Sequence, residues 1–172
     1  MKIVICGAGL VGSAIASHLS EEHNDVTVID ASAENIQRIT DHYDVHGVVG
    51  VASHPDRLAE AGVQEAELLI AVTESDEINM VACQIAYTLF HTPTKIARIR
   101  SSEYLIEDRL FHQDAIPIDM SISPEQLVTE HIKRLVQYPG ALQVVDFADG
   151  QVQVVGVKAL DGGGDLCLAH DG

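Results

Sequence analysis

Tryptophan is missing from this 172-residue chain, and four tyrosines and three phenylalanines are its only other large aromatic side chains. Its core must therefore be assembled from Val, Ile, Leu and Ala, the palette of an α/β interior. Basic charge is nearly as scarce: ten Lys and Arg stand against twenty-six Asp and Glu, a formal charge of −16. A field of that sign repels phosphate backbones and anionic lipid surfaces, so no nucleic-acid partner is expected. Within the first ninety residues only Lys2, Arg38 and Arg57 are basic. Any phosphate bound there must lean on backbone N–H groups. Cysteine is limited to Cys6, Cys83 and Cys167, widely spaced and without a Cys-x-x-Cys pair. Neither a disulfide framework nor a zinc site is expected, and a reducing cytoplasm is the default compartment. Long hydrophobic runs are lacking too. None approaches the roughly 20 residues of a membrane-spanning helix, and MKIVICGAG lacks the basic start and longer apolar stretch of a signal peptide.

What is present is a regular alternation of elements. KIVIC (2 to 6) runs into a glycine turn, after which Leu10, Val11, Ala14, Ile15 and Leu19 recur at helical spacing. DVTVID (25 to 30), a helical stretch from about Ala33 to His42, and DVHGVV (44 to 49) complete a β-α-β-α-β half. A short helix begins at Pro55, with Ser53 as its expected cap, and closes at Ala61-Gly62. ELLIAV (67 to 72) opens the second half. The next helix carries the stripe Ile78, Val81, Ala82, Ile85, Ala86 and Leu89, and Glu74, Ser75, Asp76 and Glu77 gather at its start, where acids are favoured. KIARI (95 to 99), a helical stretch near Glu103 to Leu110, and AIPID (115 to 119) supply the fifth strand, a crossover and the sixth strand. The expected fold is α/β: a Rossmann-type, doubly wound, mostly parallel six-stranded sheet over residues 1 to 122.

Residues 123 to 140 read as a connecting amphipathic helix, opened by Pro124, with Leu127, Val128, Ile132, Leu135 and Val136 on its apolar face and Tyr138-Pro139-Gly140 at its end. From 141 to 172 the chain reads as the start of a small α+β domain. Two alternating runs flank Asp149-Gly150, the signature of a type I′ hairpin, which alone is only marginally stable. Too little follows to complete that domain, and DGGGDLCLAHDG is expected to be poorly ordered or foreign to the native sequence.

The chemistry concentrates at Gly7-Ala8-Gly9-Leu10-Val11-Gly12. There the first glycine permits the sharp turn, the second lets a pyrophosphate approach the backbone, and the third allows close packing of helix on strand. The helix N-terminus then faces the phosphates. Asp30 follows Gly12 by eighteen residues at the end of the next strand, placed to accept from the hydroxyls of an adenosine ribose. Its charge repels a 2′-phosphate, and the first cation after it is Arg38, so NAD or NADH is favoured over NADP. Thr73 and Glu74 end the fourth strand beside the expected switch point, and Arg98, near the end of the fifth, offers a countercharge to phosphate or a salt bridge to an acid.

A reactor to match this binder is not visible. No Tyr-x-x-x-Lys occurs, the chain has only four lysines, and no Gly-x-Ser-x-Gly is present. The histidines are scattered without ligand spacing, His42 and His46 included, and Cys6 and Cys83 sit where small buried side chains pack. The readings that remain are a nucleotide-binding regulator, a fragment of an NAD-dependent oxidoreductase lacking its catalytic domain, and a methyltransferase.

AVTESDEINMVACQIA followed by KIARIR resembles the TrkA family, regulatory proteins of bacterial Trk potassium uptake, whose nucleotide-binding unit is the KTN or RCK N-terminal domain. ASHPDRLAEAG and PEQLV extend the likeness, which runs to about residue 160. The resemblance implies a cytosolic, non-catalytic domain that binds NAD or NADH, in some members ATP or ADP. It further implies gating of a Trk-type potassium-translocating membrane subunit, and peripheral attachment to the membrane through that partner. Carried over by position, Gly7, Ala8, Gly9, Leu10, Val11 and Gly12 of the glycine turn, Asp30, Thr73 with Glu74, and Arg98 are the expected cofactor contacts. Gly50-Val51-Ala52-Ser53 departs from the Asp or Thr that many relatives carry, which puts contacts from that loop in doubt. Relatives contain tandem modules, each with a smaller C-terminal domain, and assemble as homo-oligomers through their helices. The face of residues 124 to 136 is the expected contact, unless it is buried on its own domain.

Overall fold

A strand that is apolar on both faces must be covered on both faces. In β1 (Lys2–Cys6), Ile3 and Ile5 join one buried cluster and Val4 and Cys6 the other. The computed structural model describes residues 1–106, 110–124, 128–129, 132–133, 136, 141–147 and 152–157. Contacts divide the chain into two units, Met1–Pro124 and Glu125–Gly172.

The first unit runs β1, α1 (Leu10–Glu21), β2 (Asp25–Asp30), α2 (Ala33–His42), β3 (His46–Val49), α3 (Pro55–Glu60), β4 (Leu68–Ala71), α4 (Asp76–Thr88), β5 (Thr94–Arg98), α5 (Ser102–Ile106) and β6 (Met120–Ile122). Its six strands lie in the order β3-β2-β1-β4-β5-β6, every neighbouring pair parallel. This is the doubly wound order of a Rossmann sheet, reversing between β1 and β4. One cluster joins Ile15 and Leu19 of α1 and Ile36 and Ile39 of α2 to Ile3, Ile5, Val26 and Val28. The other joins Leu58 of α3 and Met80, Cys83 and Ala86 of α4 to Val4, Cys6, Leu69 and Ala97. Both carboxyl-end loops flanking the reversal are thus held by packed helices.

Two expectations shift. The cap of α3 is His54, without a side-chain hydrogen bond, rather than Ser53: with Pro55 at the first helical position, the residue directly before it takes the cap. The sixth strand is Met120–Ile122 instead of AIPID. Pro117 has no N–H for a ladder, and the preceding backbone folds on itself through Ile118 N–H to Ile116 O at 2.8 Å and Ile116 N–H to Leu110 O at 3.1 Å. Pairing begins only after Asp119, whose carboxylate takes the Lys95 N–H at 2.7 Å.

In the second unit, Pro124's continuation is helical at the described residues 128, 129, 132, 133 and 136. Val128, Ile132 and Val136 are exposed. Leu127, Leu135, Tyr138-Pro139-Gly140 and the Asp149-Gly150 turn lie outside the described residues, as does DGGGDLCLAHDG. β7 (Ala141–Phe147) and β8 (Val152–Val157) pair antiparallel, as the alternating runs require.

Candidate functional site

The strand reversal opens a cleft of about 300 Å³ at the carboxyl ends of β1, β2 and β4. Gly7 and Gly9 form its floor after β1. Ile29, Asp30 and Ala31 close β2, with Asn35 from α2 beside them. Gly50, Val51 and Ala52 follow β3, and Val72, Thr73, Glu74 and Ile78 make the opposite wall.

The three glycines of the turn are required for different reasons. Gly7 has φ of +107°, and a Cβ there would stand 3.0 Å from Thr73 N and Val72 O, so the β4 loop closes directly on the turn. A Cβ at Gly12 would collide with Gly7 O. Gly9 differs: its φ of −73° suits any residue, and a Cβ would meet nothing within 4 Å. Neither backbone strain nor packing asks for glycine at position 9. The open space in front of it is the approach a pyrophosphate needs.

Beside that space stands the start of α1, the one N-terminus among α1 to α5 with no acidic residue in its first turn, in a chain with twenty-six acids. Gly9 as its cap has no side chain to bond the first-turn N–H groups. The partial positive charge of the helix end is left for a ligand anion.

Asp30 is half-buried and held on both oxygens. Oδ2 accepts the Ala8 N–H at 2.7 Å; Oδ1 accepts the Ser32 N–H at 2.7 Å and Asn35 Nδ2 at 3.3 Å. Three donors fix the carboxylate's orientation before any ligand arrives, and its acceptor capacity of roughly four leaves room for a hydroxyl. Arg38, one helical turn past Asn35, donates to Asn35 Oδ1 at 2.9 Å and reaches Ala8 O at 3.5 Å. The chain's first cation after β2 therefore stands over the glycine turn, a placement that linear distance from Asp30 conceals.

Of the residues expected to contact a cofactor, the structure gathers Gly7, Gly9, Asp30, Thr73 and Glu74 on the cleft. Ala8 is buried behind it, bonded to Asp30. Leu10, Val11 and Gly12 form the first turn of α1 and are not among the lining residues, with Leu10 91% exposed. Arg98 ends β5 and does not line the cleft; its carbonyl accepts from Asn79 Nδ2 at 2.9 Å. The loop left in doubt, Gly50 to Ala52, does line it, brought there by β3 pairing with β2. Asn35, Val72 and Ile78 join through the same fold geometry, and only Asn35 had a local signal, its position one turn past a strand-end acid.

Among the described residues on the cleft there is no His, Lys, Tyr or Cys. Cys6 and Cys83 are buried in the core, and burial pushes both thiols up, Cys83 to about 12, so neither is a thiolate at neutral pH. Among the described residues no group of three or more His, Cys, Asp or Glu is placed to hold a metal ion, and no helix is long and apolar enough to cross a membrane.

The model of the TrkA-N domain family matches residues 3–124. The chain is 56% identical over 164 residues to the Trk system potassium uptake protein TrkA of Vibrio alginolyticus, covering 95% of this chain and 36% of that one. It is 53% identical over 163 residues to the protein of the same name from Halomonas elongata, again 95% and 36%. This chain thus spans about a third of the length of these relatives. Among solved structures it shares its fold with the TrkA-N domain of inner membrane protein ybaL from Escherichia coli (TM-score 0.67, 18% identity, 78% of this chain and 96% of that one). It likewise shares the fold of the GsuK channel bound to NAD (TM-score 0.63, 19% identity, 86% and 25%).

Proposed function

The chain belongs to the TrkA-N domain family, and we propose that its cleft holds an adenine nucleotide, NAD or NADH in the first instance, as a signal rather than as a reactant. The observation that carries this is the floor of the cleft: an open Gly9 beside an uncompensated helix N-terminus, with the Asp30 carboxylate fixed at the rim. Together they offer an anion site and a ribose acceptor on one cleft. The GsuK channel binding NAD on the same fold supports the choice.

Hydride transfer would need an acid or base beside the nicotinamide, and the described lining residues offer only the carboxylates Asp30 and Glu74. Held without being turned over, the nucleotide acts by binding two arrangements of the protein unequally. A tenfold shift needs about 1.4 kcal/mol of preference, within reach of one charge-assisted hydrogen bond. The system so biased is a Trk-type potassium-translocating membrane subunit, as the relatives' name and their 53–56% identity suggest. The regulator sits at the cytoplasmic face as a homo-oligomer. Cytoplasmic loops of membrane proteins are rich in Lys and Arg, and a chain of charge −16 complements them.

Isothermal titration of NADH, NAD, ADP, ATP and S-adenosylmethionine, repeated with Asp30→Ala, tests the reading. Dinucleotide binding that weakens at least tenfold in the variant is expected. Absence of dinucleotide binding, or preference for S-adenosylmethionine over the others, would sink it.

A further inference from the structure

Asn79, in the first turns of α4, is 0% exposed and uses its whole hydrogen-bonding capacity. Its Oδ1 accepts from the Thr73 N–H at 2.9 Å and the Thr73 hydroxyl at 2.7 Å. Its Nδ2 donates to Thr73 O at 3.3 Å and Arg98 O at 2.9 Å. A backbone N–H on one side and two carbonyls on the other leave the amide a single orientation. Three of the four bonds go to one residue, and that residue lines the cleft directly across from Gly7.

We propose that Asn79 is a positioning residue of the cleft: it fixes Thr73 as an acceptor toward a ribose hydroxyl and ties that wall of the cleft to the end of β5. This rests on the nucleotide reading above. The Thr73 hydroxyl has one proton, directed to Asn79 Oδ1 at 2.7 Å with Ser75 O at 3.2 Å nearby, and it accepts the Ser75 N–H at 3.3 Å. Only a lone pair remains for a ligand. A ribose hydroxyl can donate to it, whereas a phosphate oxygen, itself an acceptor, cannot use it. Because the Thr73 backbone is wedged between the glycine turn and Asn79, a shift of the amide changes the gap across the strand reversal.

The first turn of α4 carries the tie further. Asp76 Oδ2 accepts the N–H groups of Arg100 and Ser101 at 2.9 and 2.8 Å, while Oδ1 stands 3.9 Å from Arg100 Nε. One helix end thus grips both the cleft wall and the loop entering α5, and a ligand that stiffens Thr73 stiffens Arg100 and Ser101 with it.

The test is titration of NADH into the whole chain as wild type, Asn79→Asp, Asn79→Ala, Thr73→Val, Thr73→Ser and the Thr73→Val/Asn79→Asp double variant, each with a thermal melt. Chains that melt cooperatively are expected to lose at least tenfold in affinity at Asn79 or Thr73→Val. Thr73→Ser, which keeps the hydroxyl, binds more tightly than Thr73→Val, and the double variant is no weaker than the worse single by more than about threefold. Ile3→Ala, buried at the start of β1, lowers the melting temperature and leaves affinity within about twofold, which separates positioning from lost packing. Hydrogen exchange on the wild type needs no variant: NADH should slow the Arg100 and Ser101 amides together with the glycine turn. A cooperatively melting Asn79 variant that binds as wild type, fully additive losses, or unchanged exchange at Arg100 and Ser101 overturns the proposal. A folded wild type that binds no NADH overturns the nucleotide reading itself.

Discussion

At the scale of single residues, Gly9 and Gly12 look alike in the motif and differ in what holds them. Gly12→Ala drives a methyl into Gly7 O, a backbone atom with no room to yield. It should destabilise by the upper end of the roughly 1–3 kcal/mol of overpacking or more, read as a fall in urea midpoint. Gly9→Ala meets no atom within 4 Å; its stability should stay within about 1 kcal/mol while nucleotide affinity drops. A Gly9→Ala chain that binds as wild type would remove the pyrophosphate from the floor of the cleft. Cys83 makes a pH prediction. Its thiol ordinarily titrates at 9.0 and burial raises it to about 12 in the folded chain. Between those values the unfolded chain has released the proton and the folded chain keeps it. The stability that depends on the neutral thiol is therefore intact below pH 9 and is lost as pH rises toward 12. Urea midpoints should decline over that window, less steeply in Cys83→Ala.

At the scale of elements, the junction of β5 and β6 depends on Lys95, whose side chain is only 3% exposed. Its ammonium donates to the carbonyls of Thr92 and Pro93 at 3.1 Å, pairs with Asp119 at 2.8 Å and stands 5.5 Å from the Tyr87 ring centre. The backbone closes the same joint, Lys95 N–H to the Asp119 carboxylate and Asp119 N–H to Lys95 O. Asp119→Asn leaves a buried cation short of its counterion. It should cost about 1–3 kcal/mol, below the usual 3–5 for breaking a buried pair because the aspartate side is 35% exposed. Lys95→Met removes the charge itself and should cost less, an ordering that denaturant melts of the two variants check.

At the scale of the whole molecule, residues 1–124 hold both buried clusters and every described residue on the cleft. A chain ending at Pro124 should therefore melt as one cooperative transition and bind NADH with the affinity of the full chain. Weaker binding in the shorter chain would assign part of the site to residues beyond 124. The hairpin β7–β8, a two-stranded sheet among the described residues, should give no cooperative transition when made separately.

Much of this was legible in the chain. Continuous apolar runs, helical stripes and short links point to a doubly wound sheet, since a strand apolar on both faces must be covered on both. Gly7, Gly9, Asp30, Thr73 and Glu74 announce themselves because turn, helix start and strand ends are local events whose residue types follow from backbone geometry. Other features depend on which elements become neighbours. Strand order carries Gly50 to Ala52 to the cleft and leaves Arg98 off it, and one turn of α2 brings Arg38 over the glycine loop. The sixth strand slid to Met120–Ile122 because a proline cannot feed a ladder and an aspartate can cap one. Asn79, a polar residue beside an apolar stripe, shows its part only when β4 and β5 arrive to be bonded. Local stereochemistry is written along the chain, whereas partners for buried polar groups exist only after the chain has folded.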